Sequence, residues 1–198
     1  MSSSKGVTLN RSLKASWLIT ALRLRASGCE LEHAKAELEA LLENEIKGKE
    51  SIRKSLRYLR QVWLEPHPVH GALQEEAIAL YRESTTYENA CELSYFMLIA
   101  IYPFAREVAE ACGQLNRLQG TVKTEQIKRK ISAIYGEREQ VLRSARCVVF
   151  IFVELGILQA TGSKGIYSAA KTKLSSHQFS AFAITKSTFS SDRILLII

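Results

Sequence analysis

The sequence predicts a mostly α protein: an N-terminal helical bundle followed by a winged helix-turn-helix-like part with a small β-hairpin wing. Three observations predict it. Apolar residues recur at helical spacing through most of the chain. The last third runs helix, tight turn, longer helix, glycine, strand-like segment, glycine-rich turn, strand-like segment, which is the order of a winged helix. The cationic excess falls in that last third as well. Residues 1–118 hold 15 Lys and Arg against 15 Glu, whereas residues 119–198 hold 12 against 5 acids. The reading therefore divides the chain into a bundle over 1–118 and a basic winged-helix-like part over 119–198.

The elements follow in order. Leu9, Leu13, Trp17, Ile19, Leu22 and Leu24 predict a first helix over 9–27, ended by Ser27 and Gly28. Leu31, Ala34, Leu38, Leu41 and Leu42 make the stripe of a second, which stops between Asn44 and Gly48. Ser51 offers an N-cap for a third, Ile52 to Leu64, burying Ile52, Leu56, Leu59 and Trp63. Arg53, Arg57 and Arg60 share another face of that helix, with Lys54 at its edge. Pro66 and Pro68 break the chain, and a fourth helix runs from Leu73 to Glu83. The apolar stretch from Tyr87 to Leu118 reads as the bundle centre, two helices or one kinked at Pro103.

Beyond Gly120, Thr124 is placed to cap a helix over Glu125–Tyr135 with Ile127, Ile131 and Ile134 as its stripe. Gly136 ends it. The next helix, Glu137–Leu155, would pack inward through Val141, Leu142, Ala145, Val148, Val149 and Phe152, with Gly156 as its terminating glycine. Ile157–Ala160 and Ile166–Ala169 then flank the turn Thr161–Gly165. The chain ends on Ile194–Ile198, five aliphatics with no polar tail, and this predicts that the natural protein continues.

Composition excludes several classes. Hydrophobic residues at 46% and charged ones at 24% describe a globular chain and not a disordered one. Nineteen of twenty acids are Glu, the exception being Asp192, which argues against metal-dependent nucleases and phosphotransferases built on Asp. Cys29, Cys91, Cys112 and Cys147 lack C-x-x-C spacing and read as buried thiols in a reducing cytoplasm. The polar lead-in Met1–Gly6 has no signal-peptide pattern, and the uncharged run Leu93–Ala105 is too short for a bilayer, so no membrane partner is expected. Glu65, His67 and His70 could meet a metal, but a Pro-rich loop does not fix them and the reading is a surface loop. No G-x-S-x-G, Walker A or G-x-G-x-x-G motif occurs, so neither catalysis nor a cofactor is expected.

What remains is the polyanion-binding signal. In a winged helix the second helix of the pair enters the major groove and the wing reaches phosphates. Arg138, Gln140, Arg143 and Arg146 would lie on the exposed side of that helix. Lys128, Arg129 and Lys130 precede it, Lys164 sits in the wing, and Lys171 and Lys173 follow. Arg reads guanine edges bidentately and both cations neutralise phosphate. The Arg53, Arg57 and Arg60 face is a second candidate, unless the Glu-rich second helix neutralises it.

Ile101–Arg106, Thr124–Lys130 and Tyr135–Glu139, set in this order of helical part and winged-helix-like part, resemble the small BrxA-type proteins of bacterial BREX phage-defence loci. The resemblance implies a non-enzymatic, DNA-binding accessory protein working beside larger methylation and restriction proteins. The expected partner is double-stranded DNA. The rival expectations are an interaction adaptor with a structural winged helix, or a transcription regulator reading one operator.

Overall fold

Pro103 divides the apolar stretch into two helices, and the rest of the protein is arranged around the first of them. The computed structural model describes residues 9–170. These two helices, α5 (Tyr87–Ile101) and α6 (Pro103–Gln119), follow α1 (Ala15–Ala26), α2 (Leu31–Glu45), α3 (Lys49–Leu59) and α4 (Gly71–Glu83). After them come α7 (Thr124–Tyr135), α8 (Glu139–Glu154) and three short strands, β1 (Val122–Lys123), β2 (Leu158–Ala160) and β3 (Ile166–Ala169). The protein is thus mostly helical with one small antiparallel sheet.

Every residue of α5 from Asn89 to Ala100 is buried. A helix apolar on all sides has no solvent face, so it must be enclosed. Helices α1, α4 and α6 touch it, and Tyr95 meets Phe152 of α8 edge to face with ring centres 5.2 Å apart. Thr86 caps α5, its hydroxyl accepting from the Asn89 N–H at 3.3 Å. Pro103 sits at the first position of α6, where its missing N–H costs no helical bond. One continuous core holds buried residues from Leu9 to Leu158, on both sides of residue 118.

Several expected boundaries are corrected. The first helix begins at Ala15 and not at residue 9. Leu9 and Leu13 are buried, as their spacing suggested, but from a non-helical lead-in. Leu9 takes φ 69°, and Tyr58 holds the next residue: the Asn10 N–H donates to the Tyr58 hydroxyl, which donates to Asn10 Oδ1. The start of α1 is capped from far along the chain, where Glu154 Oε2 accepts from the Ala15 N–H at 3.3 Å. A carboxylate there also complements the positive end of the helix.

Ser51 does not cap the third helix, which starts two residues earlier, after Gly48 at φ 103°. Its end is also not α-helical. Arg60–Leu64 forms a π-turn, with the Glu65 N–H donating to the Arg60 carbonyl at 2.9 Å. The wider turn lets Val62, Trp63 and Leu64 all be buried in succession, while Leu56 is only half-buried. Thr124 is likewise no cap; Lys123 occupies that position without a side-chain bond. On α7, Ile134 is exposed and Tyr135 takes the inward place, stacking edge to face on Phe104 at 5.0 Å. Helix α8 begins at Glu139 and not Glu137, and Leu142 on it is half-buried. Cys29 is half-buried, whereas burial pushes the Cys91 thiol up to about 11 and the Cys112 thiol up to about 12.

The hairpin was expected; β1 was not. β3 lies between its two neighbours, giving the order β1-β3-β2. Val122 pairs with Tyr167 and Lys123 with Ile166, while Leu158 pairs with Ala169 and Ala160 with Tyr167, all antiparallel. Gly156 ends α8 as expected, at φ 70°. Its N–H donates to the Val153 carbonyl and the Ile157 N–H to the Phe152 carbonyl, which closes a Schellman motif.

Candidate nucleic-acid interface

The wing is held against the start of α7. The Thr124 N–H donates to the Gly165 carbonyl at 2.9 Å and the Thr124 hydroxyl donates to the same oxygen at 3.2 Å. Gly165 has φ 74°, and a Cβ there would lie 3.4 Å from that hydroxyl. Within the turn, the Thr161 hydroxyl donates to the Ile166 carbonyl at 2.9 Å. These bonds tie the turn that carries Lys164 to the residue that follows Lys123.

A cleft of about 1200 Å³ opens between α8, the wing and the start of α7. Arg143, Arg146, Lys164 and Lys123 line it, against Glu125 and Glu139. Its apolar wall includes Phe150, Val153, Ile166 and Tyr167. None of the four cations forms an ion pair among the described residues; what distinguishes them is that they line one cleft together. In the bundle several charges pair with one another: Lys14 with Glu45, Arg23 with Glu37, Arg25 with Glu75 and Lys35 with Glu32. The Glu45 carboxyl is held below the usual range by its bond from Lys14, and the Glu32 carboxyl by its bond from Lys35.

The other expected contacts divide. Arg129 and Gln140 are exposed, Gln140 in the first turn of α8. Arg138 precedes that helix instead of lying on it, and donates to the Tyr135 carbonyl at 3.2 Å. Lys128 is paired with Glu125, and Lys130 donates to Gln114 Oε1 at 3.0 Å on α6. Lys171 and Lys173 lie outside the described residues.

The arginine face of α3 is largely neutralised by carboxylates of its own segment. Arg53 and Lys54 both bond Glu50, and Arg60 pairs with Glu65. The Glu50 carboxyl is lowered by its Lys54 bond first and by Arg53 after it. Arg57 lies over the Tyr58 ring at 5.0 Å. The acids of α2 turn instead to α1 or to their own helix.

The Glu65, His67 and His70 loop is internally bonded. His67 Nδ1 accepts from the His70 N–H at 3.0 Å and the Val69 N–H at 3.3 Å, and Gln74 donates to the Val62 and Glu65 carbonyls. Burial lowers the pKa of both histidines. Among the described residues no three His, Cys, Asp or Glu side chains gather as metal ligands, and no helix is long and apolar enough to cross a membrane.

Sequence reasoning missed Lys123, Phe150 and Tyr167 as cleft residues. Phe150 had a signal: it stands at i+7 from Arg143 and so shares the face of Arg143 and Arg146. Lys123 and Tyr167 had none, because strand pairing alone brings them there. Comparison with family models, curated proteins and solved structures finds no match for this chain.

Proposed function

We propose that residues 103–169 form a winged helix that binds double-stranded DNA mainly through phosphates, without enzymatic activity. The carrying observation is that Arg143, Arg146, Lys164 and Lys123, none of them ion-paired among the described residues, line one cleft. The element order α6, β1, α7, α8, β2, β3 and the strand order β1-β3-β2 support the winged-helix assignment. In this reading α8 lies along the duplex, Gln140 faces base edges, and Arg143, Arg146, Lys164 and Lys123 meet phosphates. Arg129, exposed on α7, does not line that cleft and is not one of these contacts. The α3 face contributes less, since Arg53, Lys54 and Arg60 on it are already paired.

The accessory role in phage defence, beside larger defence proteins, rests on the resemblance of residues 101–106, 124–130 and 135–139 and belongs to the same proposal. Titration of a labelled random duplex against the wild type and the Arg143→Ala/Arg146→Ala variant tests the DNA contact. The variant should bind at least about tenfold more weakly while melting at the same temperature, because both side chains are exposed. Equal affinity would reject the assignment.

A further inference from the structure

Phe150 sits on the solvent side of α8, in the row Arg143, Arg146, Phe150, and is 39% exposed. The core does not need it, since Val148, Val149, Ile151 and Phe152 already bury the inner face of that helix. Nor does it stand alone. With Val153, Ile166 and Tyr167 it forms the apolar wall of the cleft whose charged lining is Arg143, Arg146, Lys164 and Lys123 with Glu125 and Glu139. Phosphate contact alone makes no use of such a wall. A duplex is convex and keeps its bases stacked, so it offers the cleft phosphates and edges but no open π-face.

An unpaired strand offers both. Its phosphates follow cations while its bases stack on aromatic rings, a mode that tolerates any sequence. Size agrees: at about 1200 Å³ the cleft exceeds the roughly 300–1,000 Å³ of small-ligand pockets and suits a strand segment. We infer that this cleft takes an unpaired nucleic-acid strand, one base lying on the Phe150 ring and the flanking phosphates meeting Arg143, Arg146, Lys164 and Lys123. The inference rests on the nucleic-acid reading above and names the form that the same cleft holds most tightly.

Fluorescence anisotropy with a labelled oligothymidylate and a blunt duplex of equal length tests it at one salt concentration. The wild type should favour the single strand by about tenfold. Phe150→Leu, which keeps an apolar side chain and hence the fold, should abolish that margin and leave duplex affinity within about twofold. Phe150→Ala should behave alike. Equal wild-type affinity for the two probes, or a Phe150→Leu variant that keeps the margin, overturns the inference. If the margin is absent but Arg143→Ala/Arg146→Ala still weakens duplex binding, this inference alone falls. If neither probe binds, the nucleic-acid reading falls with it.

Discussion

Removing Arg143 and Arg146 together should halve the salt sensitivity of duplex binding. Four cations line the cleft with no ion pair among the described residues, and each phosphate that one of them neutralises releases condensed counterions. At about −0.9 per contact, four contacts give a slope near −3.6 in log affinity against log salt. Between about 50 and 200 mM salt the wild type should then weaken by about 150-fold. With two contacts left the slope falls to about −1.8, and the same change in salt costs about 12-fold. Anisotropy titrations of a random duplex across a salt series read both slopes directly. Arg53→Ala is the control, because Glu50 already holds that guanidinium, and its slope should match the wild type. A double variant with an unchanged slope, or a wild-type slope shallower than about −1, would refute the reasoning.

Three further outcomes concern the fold. The Tyr95 hydroxyl is fully enclosed with no hydrogen-bond partner among the described residues, so Tyr95→Phe should leave stability unchanged or raise it by about 1 kcal/mol in urea denaturation; a loss beyond about 0.5 kcal/mol contradicts this. Gly156→Ala should cost about 1–2 kcal/mol, since residue 156 must keep φ 70° to close the Schellman motif, and an unshifted urea midpoint speaks against it. His67 accepts two backbone N–H bonds at Nδ1, and burial holds its pKa below the ordinary value. The unfolded chain therefore takes up the proton first. The contribution of His67 is full above about pH 6.5 and is lost as pH falls below it. The urea midpoint should drop between about pH 7.5 and 5.5 more steeply for the wild type than for His67→Asn, whose amide oxygen accepts without titrating; parallel drops exclude the effect.

Much of the helical framework was legible in the residues themselves. The stripe of α2, the break at Pro103, the all-round apolarity of α5 and the ending of α8 at Gly156 depend on neighbours within a turn or two, so spacing and local backbone preference suffice. The row Arg143, Arg146, Phe150 belongs to the same kind of information, because a helix alone puts those three on one face. Where the reading went astray, a distant partner had outvoted a local preference. Leu9 and Leu13 keep a helical spacing, yet Tyr58 holds Asn10 in a non-helical lead-in. Ile134 keeps the stripe of α7, yet the ring of Phe104 selects Tyr135 for the interior.

By itself, then, the amino-acid order determined which segments coil, where they stop and that the surplus of positive charge lies late in the chain. Only the tertiary structure decided which of those charges stay unpaired. Lys14 and Arg25 are paired by Glu45 and Glu75, 31 and 50 residues further along the chain, whereas no carboxylate of the described residues pairs with Arg143 or Arg146. β1 exists only because β3, more than forty residues later, returns to pair with it, and that pairing sets Lys123 beside the wing. The physical reason is one of range: backbone preference and side-chain periodicity act over a few residues, whereas charge neutralisation and strand pairing depend on which parts of the chain meet in space.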